Sequence, residues 1–144
     1  MNIQIKKLTD SAKLPERGSD YAAGYDLFAN ISEEEEIKPH ETKLIGTGLS
    51  VAIPEGYFGG IFARSGLSLK EGLRPANCTG VVDSDYRGEV KVSLHNDSDV
   101  VRHIQPNQKI AQLVIIPFLA VTFDEVDNLD ETKRGVGGFG STGK

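Results

Sequence analysis

Short apolar runs recur along this chain at roughly ten-residue spacing, and none of them holds the period of a long helix. Residues 3–7, Ile-Gln-Ile-Lys-Lys, alternate apolar and polar as a half-buried strand does. A polar segment with Pro15 and Gly18 follows and reads as a loop. Ala22-Ala-Gly-Tyr-Asp-Leu-Phe-Ala29 is short and apolar, with Asp26 where a strand interior would take an aliphatic residue; a buried aspartate needs partners or a task. The run Glu33 to Glu36 reads as a solvated face or a strand edge. Residues 43–53 carry β-formers interrupted by glycines, Pro54-Glu-Gly56 makes a turn, and residues 57–63 form another strand. Leu67-Ser-Leu-Lys-Glu71 is the one stretch suited to a short helix, closed by Gly72 as a left-handed cap. Further strands are expected near Val81 and over residues 90–94, 100–104, 110–118 and 121–126. Together these predict an all-β fold, a sandwich or closed barrel, with one short helix.

Composition narrows the classes. A chain of 144 residues with 38% hydrophobic and 26% charged positions has the make-up of one ordinary soluble domain. No run approaches the roughly 20 apolar residues that span a bilayer, and the opening Met-Asn-Ile-Gln-Ile-Lys-Lys lacks the apolar centre of a signal peptide. A cytoplasmic protein without a membrane partner is expected. The lone Cys78 excludes an internal disulfide, and His40, His95 and His103 lack zinc-ligand spacing. A formal charge of -5 argues against a nucleic-acid surface, so any phosphate must be met locally. The composition shifts near residue 124: residues 1–123 read as the β domain, and residues 124–144 as a polar, then Gly-rich, C-terminal arm.

Three stretches carry candidate chemistry. Gly80-Val-Val-Asp-Ser-Asp-Tyr-Arg-Gly88 packs two carboxylates and a tyrosine between glycines at the end of an apolar run. Asp and Ser favour turns by bonding nearby amides, so a plain hairpin tip accounts for much of it. If the segment leaves a strand, Asp83 and Asp85 face opposite sides. In Arg64-Ser65-Gly66, the arginine fork, a hydroxyl and the start of the short helix suit an anion, although Ser65 serves equally as a helix cap. The arm offers Arg134, Ser141 and Thr142 as phosphate donors and Phe139 as a stacking ring. Its Gly-x-Gly-x-x-Gly matches and the near phosphate loop ending at Lys144 are discarded, because such motifs work between a strand and a helix.

Taken together, Ala22–Ala29, Pro54-Glu-Gly-Tyr57, Ala63-Arg-Ser-Gly-Leu-Ser-Leu-Lys70, Gly80–Gly88, Lys109-Ile-Ala-Gln-Leu113 and Arg134-Gly-Val-Gly-Gly-Phe-Gly-Ser-Thr-Gly143 resemble the ordered motifs of the trimeric dUTP pyrophosphatases (dUTPases). The resemblance spans nearly the whole chain. It implies a jelly-roll-like β-barrel with one short helix, and a homotrimer with shared active sites that hydrolyses dUTP with Mg2+. It implies that Asp83 activates the attacking water and that Tyr86 packs under the deoxyribose. By the same resemblance Asn77, Gly80, Val81, Val82 and Lys91 would receive uracil, and Arg64, Ser65, Gly66 and Gln112 would contact phosphate. Asp26 would anchor magnesium through water. The arm would reach a neighbouring subunit, laying Phe139 over the base while Arg134, Ser141 and Thr142 hold the outer phosphates, with Gly140 among the substrate contacts. A dCTP deaminase shares this fold, and a nucleotide-binding regulatory protein could use it; Asp83, Tyr86, Arg134 and the Phe139 arm favour the dUTPase reading.

Overall fold

The structure, a computed structural model, describes residues 2–139. Strands supply nearly all of its regular structure: β1 (Gln4–Lys7), β2 (Glu16–Arg17), β3 (Tyr25–Phe28), β4 (Glu35–Ile37), β5 (Thr42–Gly46), β6 (Leu49–Ala52), β7 (Tyr57–Phe62), β8 (Leu73–Pro75), β9 (Thr79–Val82), β10 (Lys91–Asn96), β11 (Arg102–Ile104) and β12 (Lys109–Pro117). The one helix among the described residues, α1 (Ser65–Glu71), ends where Gly72 turns left-handed at φ 67°. The all-β expectation is thus met, and the ladders form a sheet-rich, jelly-roll-like fold. They remain four antiparallel sheets rather than one closed barrel: β2-β3-β12-β7-β9, β5-β10-β8, β1-β6 and β11-β4.

Burial follows the sequence pattern. In β10 the residues Val92, Leu94 and Asn96 alternate inward, while β12 sits between β3 and β7 and carries the near-continuous apolar run of a central strand. Leu27, Ile37, Leu49, Leu73, Leu94, Ile104 and Ile110 are fully buried and join the sheets into one core. The polar residues inside are satisfied. Asn96 donates to the carbonyls of Ile37, Lys38 and Val100 and accepts from the amide and hydroxyl of Ser98, and the Thr47 hydroxyl donates to Val90 O at 2.6 Å.

The structure departs from the sequence reading at several elements. Glu16–Arg17 pairs with β3 although it lies in the expected loop, and Leu73–Pro75 adds a short strand after the helix. The acidic run contributes a true edge strand, β4, paired to β11. Residues 121–126 form no strand: Val121, Phe123 and Val126 stand exposed because no ladder in this chain receives them. The last strand ends at Pro117, and beyond the bond from Phe118 N to Gly56 O at 3.0 Å the chain runs out as exposed coil.

Candidate active site

Two groups of the expected residues come together, at opposite ends of one ladder. The first lies where β3, β7 and β12 meet. Asp26 faces Gln112 across the β3–β12 pair, and Gln112 faces Phe62 across the β12–β7 pair. The Asp26 side chain is only 13% exposed, and both of its oxygens are paired: Arg64 Nε donates to Oδ1 at 2.8 Å, and Lys109 Nζ lies 2.8 Å from Oδ2. The partners that a buried aspartate demands are therefore present. Gln112 Nε2 donates to Ala63 O at 2.9 Å, directly before Arg64. A Cβ on Gly24 would overlap Gln112 Oε1, so glycine at that position is what lets the amide lie there.

Arg64 occupies the cap position of α1 in extended backbone, with no side chain capping the helix, so Ser65 is the first helical residue and not its cap. Ser65 and Gly66 are exposed, and nothing lies within 4 Å of a Cβ placed on Gly66, so this end of the helix is open. Among the described residues the Nη groups of Arg64 bond nothing.

The second group is the hairpin between β9 and β10. Val81, Val82, Asp83, Tyr86, Glu89, Val90 and Lys91, with Leu44 from β5, line a cleft of about 310 Å³. β9 pairs with β7 on one side only and is the edge of its five-stranded sheet, so the outward backbone groups of Gly80 to Val82 are free to meet a ligand's polar edge. The Asn77 amide packs beside Gly80, 3.4 Å from where a Cβ would stand. Cys78 follows with a left-handed backbone, φ 61°, and is exposed.

Past Val82 the chain does not continue as a strand. Tyr86 N donates to Asp83 O at 3.2 Å, closing a turn over residues 83–86, so strand alternation does not separate Asp83 from Asp85. Arg87 Nη1 ties the turn by donating to Ser84 O at 2.7 Å and to Tyr86 O at 2.9 Å. The Tyr86 hydroxyl donates to Glu89 O at 3.0 Å, and its ring lies over Gly88, where any side chain would collide. The Glu89 carboxylate accepts from Gly48 N at 2.9 Å and lies 3.4 Å from Lys91 Nζ, bracing the returning strand. Asp83 is exposed, and among the described residues its carboxylate bonds nothing.

Within one chain the tip of the hairpin stands apart from Arg64. Asp83 follows Val82, which faces Gly59, and Arg64 lies five positions beyond Gly59, a run of about 17 Å along the strand. Among the described residues no hydrogen bond or ion pair joins the arm to either group. Arg134 Nε donates to Gly137 O at 2.7 Å within an exposed turn, and Phe139 is fully exposed. Gly140, Ser141 and Thr142 lie outside the described residues.

Sequence reasoning assigned no role to Lys109, Leu44 or Glu89. Lys109 was detectable in principle, because an aspartate in an apolar strand calls for a nearby cation. Leu44 and Glu89 carried no such signal.

The comparisons bear on the whole of this arrangement. A family model described as dUTPase matches residues 10–143. The chain is 48% identical over 144 residues to a deoxyuridine 5'-triphosphate nucleotidohydrolase of Nautilia profundicola, covering 100% of both chains. It is 45% identical to the like-named protein of Hydrogenobaculum sp., covering 99% of each. Among solved structures, the Staphylococcus bacteriophage 80alpha dUTPase with dUpNHpp superposes with a TM-score of 0.91 at 32% identity, covering 99% of each chain. The protein belongs to the dUTPase family.

Proposed function

We propose that this protein hydrolyses dUTP to dUMP and diphosphate, supplying dUMP for thymidylate synthesis and keeping uracil out of DNA. The observation that carries the reading is the hairpin: a carboxylate, Asp83, that bonds nothing among the described residues, beside an aromatic ring, Tyr86, at the mouth of a cleft walled by a sheet-edge strand. Uracil enters that cleft and pairs with backbone groups of Gly80, Val81 and Val82, with Asn77 and Lys91 flanking. Cytosine presents the opposite donor and acceptor pattern and would leave those buried groups unpaired. The Tyr86 ring lies under the deoxyribose, where a 2'-hydroxyl would collide.

Asp83 takes a proton from water as its oxygen attacks the α-phosphorus, and diphosphate leaves from the far side. Arg64, Ser65, Gly66 and Gln112 bind the phosphates and oppose the developing charge. Residues 124–144 form an arm that closes over a neighbour's site, with Phe139 and Gly140 over the base and Arg134, Ser141 and Thr142 on the outer phosphates, excluding bulk water.

Magnesium fits as a metal carried in by the triphosphate. Among the described residues no three His, Cys, Asp or Glu side chains form a metal cage, and Asp26, though doubly paired, keeps lone pairs for a metal-bound water. Asp26 would hold it through that water, and when bound it supplies charge neutralisation at the phosphates.

The separation of Arg64 from Asp83 supports the homotrimer, since a neighbour's Arg64 completes the site around each hairpin. A cytoplasmic location is in keeping with a free nucleotide as substrate. Incubation with dUTP, dCTP, dTTP and UTP plus magnesium, following diphosphate and base products together, tests the reading. Diphosphate from dUTP alone supports it; deamination of dCTP, or no product from any of them, overturns it.

A further inference from the structure

Lys109 has no place in the chemistry above, yet the fold goes out of its way to aim it. The β3–β12 register shifts between Lys109 and Ala111, so that Phe28 faces Lys109, Leu27 faces Ala111 and Asp26 faces Gln112. In a regular strand, residues three apart point to opposite faces; the extra residue of this bulge puts Lys109 and Gln112 on the same face as Asp26 and Phe28. The ammonium of Lys109 then lies 5.7 Å from the centre of the Phe28 ring and 2.8 Å from Asp26 Oδ2.

The consequence concerns Arg64. A guanidinium beside a lone carboxylate closes onto it as a fork, using two parallel N–H bonds. Here Arg64 gives Asp26 only Nε, on Oδ1, and the Lys109 ammonium stands at Oδ2. Among the described residues both Nη groups are left for another anion. Resting on the dUTPase reading, we propose that Lys109 is a positioning residue: by occupying one Asp26 oxygen it keeps Arg64 from folding back into a bidentate pair and delivers the Nη groups to the substrate phosphates.

Lys109→Met keeps the stem over Phe28 and removes the charge. Affinities for deoxyuridine and for dUpNHpp, measured beside melting temperature, read the effect. Affinity for dUpNHpp should fall about tenfold, with deoxyuridine unchanged and Lys109→Arg restoring the loss. The same substitution made in an Asp26→Asn chain should cost nothing more, because no carboxylate remains for Arg64 to fold onto. A tenfold loss that persists with Asp26→Asn would mean that Lys109 acts on phosphate directly and overturns the proposal, as would equal weakening of deoxyuridine or no weakening at all. Should Lys109→Met alone fail to fold, Lys109→Gln takes its place in both backgrounds, with the same outcomes expected. A wild-type chain that leaves dUTP intact removes the functional reading itself, whereas normal turnover with an unaffected Lys109→Met removes only this role.

Discussion

The corner around Asp26 and the turn around Asp83 treat an aspartate in opposite ways. Asp26 is mostly buried and spends both oxygens on cations from two other parts of the chain, while Asp83 is exposed and bonds nothing among the described residues. The first is a finished network whose geometry is set before any ligand arrives; the second is an unengaged carboxylate on a turn braced by bonds that leave it out, from Tyr86 N to Asp83 O and from Arg87 to Ser84 O and Tyr86 O. On the proposed reading, phosphate binding would be pre-organised at the corner, and the reacting carboxylate would be left free to take a proton.

The strongest way to break that contrast is Asp83→Asn. An amide cannot accept the proton, so turnover should fall about a thousandfold while dUpNHpp affinity stays nearly intact. Equal loss of both would make Asp83 a binding group. The contrast also predicts where the two aspartates act: if hairpin and corner come from different chains, refolding Asp83→Asn together with Arg64→Ala should restore activity in mixed trimers that neither variant shows alone. Absence of recovery would place both in one chain's site and contradict the roughly 17 Å that the strand register puts between them.

Deleting residues 133–144 tests the part that belongs to neither region. Turnover should drop about a hundredfold with little change in melting temperature, because the exposed turn at Arg134 adds nothing to the core. A large fall in stability would make the arm structural.

The sequence pattern located the longer strands because alternation and central apolar runs are local properties. It missed β2 and β8, which hold only two and three residues and are too short for a period to show. It placed a strand over residues 121–126 because Val121 and Phe123 alternate, but alternation states only that a segment could pair, and this chain provides no partner ladder. Asp26 was legible as an anomaly; its partners were not, since the register shift that aims Lys109 is invisible in sequence. Asp83 and Tyr86 were legible as turn chemistry, while the free edge of β9 that gives the cleft its readable wall emerges only from strand order.

Gly24→Ala sharpens the view of the corner as pre-built. The added methyl would overlap Gln112 Oε1 and lie 3.1 Å from Cδ, so the amide must leave Ala63 O. Losing that one bond should lower kcat/KM for dUTP about tenfold. An unchanged value would show that Gln112 finds its place only with substrate bound.

Tyr86→Phe carries the smallest expected effect and the finest distinction. The hydroxyl donates to Glu89 O, while the ring is what lies over Gly88 at the cleft mouth. Removing the hydroxyl takes one donor from the carbonyl of Glu89, a half-buried residue, so the stability cost should be about 1 kcal/mol. If the ring alone excludes the 2'-hydroxyl, the preference for dUTP over UTP survives, because the bond over Gly88 only fine-tunes a ring already confined by the turn. If UTP becomes a good substrate, the hydroxyl's tether is what fixes the ring against the sugar, and the hairpin depends on a side-chain bond just as the corner does.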